Sequence, residues 1–248
     1  MKTILITGSS SGFGLDIAKH FVEQDWNVVA TMRTPVEDLL PASENLRVLP
    51  LDVKDDRSVH AAIEAAGPID VLVNNAGIGW MNAFEGTSID IARDLFETNT
   101  IGLMRVTQAV LPQFREKSAG TIINVSSAVT LKSLPLLSVY TATKAAVNAF
   151  TESLAAELEP FGIKVGIVLP GSAPSTNFGT TARSKIQAQG GFHPAYADFI
   201  NDVIAKTQQS QGLRTQSTDV VEAVWKAATD DNSPLRLPAG ADAIAWAS

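Results

Sequence analysis

Tyr140 and Lys144 place a phenol and an ammonium four residues apart. The pattern around them predicts a helix, so the two side chains share one face. A free tyrosine titrates at ~10 and a lysine at ~10.4. A neighbouring ammonium favours the phenolate and should draw the tyrosine pKa down, toward the range where a general acid works best. Ser126 and Ser127 follow an apolar run. A hydroxyl there could donate to a carbonyl oxygen as negative charge develops on it, while the other serine of the pair would only shape a turn. Asn99 interrupts the otherwise helical stretch Asp94–Val106. Asparagine is a poor interior helix former, which suggests a distortion with a purpose, such as holding a water beside Lys144. A hydroxyl, a phenol and an ammonium together suit proton transfer on a carbonyl or its alcohol.

The chain opens with Thr7-Gly8-x-x-x-Gly12-x-Gly14 directly after the run Ile4-Leu5-Ile6. A strand that ends in such a turn and runs into a helix aims backbone N–H groups at an anion. That arrangement suits the pyrophosphate of a dinucleotide, with Phe13 inside the turn. The end of the second apolar run is where an adenosine ribose would be read. An acid there would take the 2′-hydroxyl of NAD, but Met32-Arg33 stand in its place. An arginine fork matches a 2′-phosphate, so the expected cofactor is NADP(H). Ser10 and Ser11 could add hydroxyl contacts or serve only as turn residues. Asp52 ends the third run, followed by Val53; it could bond the adenine amino group or cap the helix that starts near Asp55. Asn74-Asn75-Ala76-Gly77 ends the fourth run. The small residues Ala76 and Gly77 would let a cofactor approach the sheet edge, and Asn75 would supply structure-fixing hydrogen bonds near the nicotinamide ribose.

The 248 residues suffice for one large core. Apolar residues at 45% against 18% charged argue for a globular chain. A net charge of −7 argues against nucleic acid as a partner. The chain has no cysteine, so disulfides, thiolate metal sites and a cysteine nucleophile are excluded. His20, His60 and His193 lack metal-ligand spacing, so no metal is expected. No apolar run approaches the ~20 residues of a membrane span, and Lys2 leads straight into a strand. The expectation is a cytoplasmic protein without a membrane partner.

Short β-branched runs alternate with amphipathic stretches. The pattern predicts strands at Ile4–Thr7, Val28–Met32, Leu46–Leu51, Val71–Asn74, Thr121–Ser126 and Lys164–Leu169. It predicts helices at Gly14–Gln24, Ser88–Lys117 and Ser138–Leu158. Apolar strands alternating with helices imply a parallel sheet covered on both faces, in an α/β doubly wound fold. Thr34–Asn45, with Pro35 and Pro41, leaves room for a turn or two of helix at most. The polar stretch Ser172–Thr215 breaks the rhythm and reads as a substrate loop or lid, with a helix at Pro194–Gln209.

These motifs, in this order, resemble the short-chain dehydrogenase/reductase family of the single-domain type. The match is carried by Thr7–Gly14, Asp52-Val53, Asn74–Gly77, Asn99, Asn124–Ser127, Tyr140-Thr141-Ala142-Thr143-Lys144 and Pro170-Gly171, over roughly residues 1–175. The resemblance implies a Rossmann-type domain spanning 1–248 and a catalytic tetrad of Asn99, Ser127, Tyr140 and Lys144. Thirteen residues separate the family's serine from its tyrosine, which selects Ser127. Tyr140 would exchange the proton, Ser127 orient the carbonyl, Lys144 hold ribose and tune Tyr140, and Asn99 anchor a relay water. Pro170 and Gly171 would border the cofactor. Val29–Arg33 and the tail Leu235–Asp242 resemble NADP-preferring members close to 17β-hydroxysteroid and retinol dehydrogenases. Members commonly form homodimers or homotetramers through the helices bearing Asn99 and Tyr140. The chain departs from the pattern in three places. Thr130 replaces a usual glycine, Ser175 or Thr176 stands for a usual threonine, and Ser11 stands where some NADP enzymes are basic.

The residues expected around a substrate are Ala128, Val129, Leu134, Trp80, Met81 and Phe178, with no Arg or Lys clamp among them. That set suits a neutral, hydrophobic ketone or aldehyde, reduced by NADPH. The same residues serve a hydroxysteroid or alcohol dehydrogenase running oxidatively. An enoyl reductase would space its tyrosine and lysine by seven. A non-catalytic NADP sensor tends to lose the Tyr–Lys pair that this chain retains.

Overall fold

The chain builds one seven-stranded sheet in which every neighbouring pair is parallel, in the order β3-β2-β1-β4-β5-β6-β7. The strands are β1 (Thr3–Thr7), β2 (Asn27–Met32), β3 (Leu46–Pro50), β4 (Val71–Asn74), β5 (Gly120–Val125), β6 (Ile163–Pro170) and β7 (Arg236–Ala239). The helices are α1 (Gly12–Glu23), α2 (Asp56–Ala66), α3 (Ile89–Phe96), α4 (Gly102–Lys117), α5 (Ser138–Leu158), α6 (Phe178–Ala188), α7 (Ala197–Gln209), α8 (Ser217–Thr229) and α9 (Ala241–Ala247). This computed structural model describes residues 1–248 except Glu37, Ser175, Asn177, Ser210 and Gln211, with backbone only at 207–209. No helix among the described residues is long and apolar enough to cross a membrane.

Side-chain alternation along the strands divides the core into two layers. Ile4, Ile6, Val28, Ala30, Val71, Val73, Ile123 and Val125 pack under Ile17 and Phe21 of α1 and Val220 and Val224 of α8. Leu5, Val29, Leu72 and Ile122 point the other way, onto Val59 of α2, Val106 and Phe114 of α4, and Leu154 of α5. Both faces are therefore covered, as the unbroken apolar strands require. Strand order reverses direction between β1 and β4, which opens a crevice at their carboxyl ends. Gly8, Asn75, Ser127 and Pro170 all lie along that edge.

The helix predicted at Ser88–Lys117 is not continuous. Glu97–Ile101 forms a π turn between α3 and α4, with Asn99 buried inside it. The distortion expected at Asn99 is thus present, and its cause is visible in the site below. No helix forms among the described residues between β2 and β3. The polar stretch after β6 is more ordered than the sequence suggests, since α6 and α7 both lie within it. β7 escapes the sequence pattern because it is four residues long and contains Pro238, which an edge strand tolerates.

Candidate functional site

The β1–α1 turn is shaped by close backbone approach. Gly8 has φ +73°, and a Cβ there would lie 2.8 Å from Ala76 Cα. A Cβ on Gly14 would collide with the Gly8 carbonyl oxygen and sit 2.5 Å from Asn75 Nδ2. Asn75 Nδ2 donates to Thr7 O at 3.0 Å and Gly8 O at 3.1 Å, and Thr7 Oγ1 accepts from Asn75 N and Ala76 N. These bonds lock the end of β4 against the glycine turn, the structural role expected of Asn75. Gly14→Ala is expected to destabilise the fold by about 1–3 kcal/mol, read as a lowered Tm, because both obstructing partners are held in place.

Helix α1 starts two residues earlier than predicted, at Gly12. Ser11 makes no side-chain cap and the first turn holds no acid. Its N–H groups are left for an anion. Helix α2 differs: Asp55 Oδ1 accepts from Arg57 N at 2.9 Å. Asp55, not Asp52, is therefore the cap, because it alone sits one residue before the helix. Asp52 Oδ1 accepts from Lys54 N at 2.9 Å. Val53 is turned inward against Gly102, and its carbonyl accepts from Arg105. Phe13 packs on the α1 side of the core. Ser10, Ser11 and Arg33 are exposed along one stretch of the crevice rim, and Arg33 makes no ion pair with another described residue. Ser175 lies outside the described residues. Thr176 faces Gly12, and its hydroxyl donates to Ala173 O at 2.9 Å.

Helix α5 brings Tyr140 and Lys144 beneath the end of β5. Tyr140 is 8% exposed and Lys144 4%. The Lys144 ammonium donates to Val125 O at 2.9 Å and forms no ion pair among the described residues. Burial alone pulls it down to about 8. Burial pushes the Tyr140 phenol up to about 12, opposed by its hydrogen bond with Ser127. The lowered tyrosine pKa expected from the i, i+4 spacing is therefore corrected. Desolvation of the phenolate dominates, and the Lys144 ammonium points at a backbone carbonyl instead of the phenol.

Ser127 and Ser126 have separate tasks. The Ser126 hydroxyl donates to Lys144 O at 3.2 Å. The Ser127 hydroxyl accepts from Val129 N at 3.3 Å and lies 3.5 Å from Pro170 O. Thr130 closes the turn through its own hydroxyl, which donates to Ser127 O at 2.9 Å and accepts from Asn148 Nδ2 at 3.0 Å. The turn therefore holds without the glycine.

Asn99 binds both polar groups of Ile78: Oδ1 accepts from N at 2.8 Å and Nδ2 donates to O at 2.9 Å. Nδ2 also reaches Thr143 Oγ1 at 3.2 Å, and the Thr143 hydroxyl donates to Tyr140 O at 2.7 Å. The sequence pattern alone does not mark Thr143 for this role. Its position three residues after Tyr140 was the available signal. A Cβ on Gly77 would sit 3.3 Å from Asn99 Oδ1 and 3.7 Å from Lys144 Nζ, so the bare Gly77 backbone leaves room for both side chains.

Phe178 covers the constellation, its ring centroid 5.7 Å from that of Tyr140 and Cε1 2.6 Å from where a Gly79 Cβ would stand. Val129, Leu134 and Met81 are half-buried nearby in the chain. Trp80 and Ala128 are more enclosed. Both are buried, Trp80 among Leu95, Val139 and Ile186 with its Nε1 donating to Thr87 Oγ1 at 2.9 Å.

Comparison with known proteins follows the same lines. A family model described as short chain dehydrogenase matches residues 2–187. The chain is 35% identical to a 3-ketodihydrosphingosine reductase of Bacteroides thetaiotaomicron, over 96% of this chain and 88% of that protein. It is 34% identical to human retinol dehydrogenase 8, over 95% of this chain and 80% of that protein. A short-chain dehydrogenase structure from Streptomyces avermitilis superposes with a TM-score of 0.84 at 36% identity, covering 99% of this chain and 91% of that one. A glycine turn at an uncapped helix, a buried Ser–Tyr–Lys group and these matches converge: the chain belongs to the short-chain dehydrogenase/reductase family of oxidoreductases, which act between alcohols and carbonyls with a nicotinamide cofactor.

Proposed function

We propose that this chain is an NADPH-dependent carbonyl reductase for neutral, hydrophobic ketones or aldehydes. The observation that carries the reading is the buried Tyr140 phenol, hydrogen-bonded to Ser127 and one helical turn from a buried ammonium. NADPH supplies the hydride when bound. The residues present fit it. The Gly8–Gly14 turn and the open start of α1 suit the pyrophosphate, Arg33 with Ser10 and Ser11 the 2′-phosphate, and Lys144 the nicotinamide ribose. Asp52 and Val53 border the adenine, while Ala76, Gly77, Pro170 and Gly171 border the crevice floor.

The phenol stays protonated at neutral pH, the form needed to give a proton to a carbonyl oxygen. Ser127 orients that oxygen and offsets its developing charge. The Lys144 ammonium favours the phenolate left behind. Asn99 and Thr143 fix the backbone that carries Tyr140. Phe178 covers the site, and the apolar Met81, Leu134 and Val129, which lie close to its residues in sequence, favour a neutral substrate over an anion. The whole chain acts as one catalytic domain, with α6 and α7 on the substrate side, in a cytoplasmic setting.

The test is oxidation of NADPH and, separately, NADH by the purified protein with a panel of neutral ketones and aldehydes. Turnover with NADPH is expected. Tight NADPH binding with no turnover in either direction would favour a sensor instead. In Arg33→Asp the ratio of kcat/KM for NADPH over NADH should fall by about 10- to 100-fold, the worth of one charge-assisted bond. An unchanged ratio would remove Arg33 from 2′-phosphate recognition.

We also propose a homodimer or homotetramer through α4 and α5, whose outer faces form a groove with Ile101, Met104, Leu111 and Phe150. A charge in an apolar interface is left unpaired, so Phe150→Glu should shift the mass measured by light scattering to that of the monomer.

A further inference from the structure

We propose that Asp242 is a positioning residue, which fixes the backbone Pro170–Gly171–Ser172 from behind and thereby sets the edge that faces Ser127 and the nicotinamide half of the cofactor. The inference rests on the dinucleotide reading above. Asp242 lies at the start of α9, outside the catalytic group, and is buried. It forms no ion pair among the described residues. A buried carboxylate without a counter-ion is costly unless hydrogen bonds hold it. Here Oδ2 accepts from Ser172 N at 2.6 Å and Oδ1 accepts from the Thr215 hydroxyl at 2.6 Å.

Thr215 extends the grip. Its Oγ1 accepts from Gly171 N at 2.9 Å and lies 2.9 Å from Ala239 O, while its own N donates to Ser172 O at 3.0 Å. The pairing of β6 with β7 ends at Pro170 and Ala239. Beyond that point the Ser172 amide depends on Asp242, while the Gly171 amide is shared between Thr215 Oγ1 and Ala239 O, the latter at 3.3 Å. The Asp242 carboxylate also fills the volume that a side chain at Gly171 would need. The backbone is thus held by bonds at 171 and 172 and by contact on its rear face. Its front carries Pro170 O, 3.5 Å from the Ser127 hydroxyl. An apolar residue at 242 could anchor the tail equally well, but only an acceptor can hold the two donors aimed at it.

Hydrogen exchange on the free protein and two binding titrations test this. In Asp242→Ala, exchange at Ser172 should quicken by at least about tenfold, as expected for loss of a charge-assisted bond, with a smaller rise at Gly171, which keeps Thr215 and Ala239 as acceptors, while β4 and β5 keep their protection. Affinity for NADPH should fall by about tenfold, with affinity for adenosine 2′,5′-bisphosphate, which lacks the nicotinamide half, unchanged. Asp242→Asn keeps an acceptor for Ser172 N and should recover most of the loss. Unchanged exchange, or unchanged NADPH affinity in a protein that binds it, overturns the proposal. Equal weakening of both ligands does so too, since it means general damage. If Asp242→Ala does not fold, Thr215→Val carries the same measurements, with Asp242→Asn as the near-wild-type control. A wild-type protein that binds no NADPH sinks the dinucleotide reading, and exchange at 171–172 then decides the role of Asp242 by itself.

Discussion

Tyr140→Phe is expected to lower kcat for carbonyl reduction by about 10²- to 10⁴-fold, the usual worth of a positioned general acid, while NADPH affinity is kept. The substitution removes one oxygen from a ring that is otherwise packed and buried. Phe178 still packs against it at a tilt, and Asn99 and Thr143 still hold the backbone at residue 140. The lost hydroxyl is also the partner of Ser127, which then has no phenol to align. A ring without the oxygen cannot give a proton to the carbonyl, so the loss belongs in kcat. Single-turnover reduction with NADPH already bound separates this from binding. Retained turnover at the wild-type rate would move the proton donor elsewhere.

Lys144→Met should weaken NADPH binding by about 10- to 100-fold, as for loss of charge-assisted bonds to ribose hydroxyls. The pH profile identifies the cause. Burial brings Lys144 down to about 8, so wild-type affinity should be level below that pH and decline above it. The methionine variant should lack this decline. Stability carries the same signature with a definite sign. Between about 8 and the ordinary value of 10.5 the unfolded chain holds a proton that the folded chain has lost. Stability therefore rises with pH across that window, and Lys144→Met removes the rise. Tyr140 acts in the opposite sense. Its pKa is raised from 10.0 to about 12, so the stability it contributes is full below pH 10 and is lost as pH climbs through that range. Denaturant titrations at several pH values, on wild type and both variants, read the two windows separately.

Local chemistry was legible in the sequence. The α/β alternation, the glycine turn, and the order Asn99, Ser127, Tyr140, Lys144 are sequence patterns, and each depends on neighbours a few residues apart. A strand that must be buried on both faces needs continuous β-branched residues. A turn approached by another backbone needs glycine. Those demands are written at the positions themselves, which is why α5 was predicted to its exact ends and the distortion at Asn99 was anticipated.

Other features required the fold, because each depends on residues far apart in the chain. The direction of the Tyr140 shift follows from how completely the site excludes water, and spacing on one helix carries no such information. That Trp80 packs among residues of α3, α5 and α6 is likewise set by the fold. Asp52 reads as a candidate helix cap until α2 begins at Asp56, with Asp55 the residue before it. β7 is too short to show a period and exists because β6 offers it an open edge. The grip of Asp242 on Ser172 spans 70 residues. Sequence by itself determined which chemical groups are present and the fold that carries them. Only the tertiary structure decided how dry each group is and which distant backbone it holds, since burial and long-range hydrogen bonds arise when the layers pack.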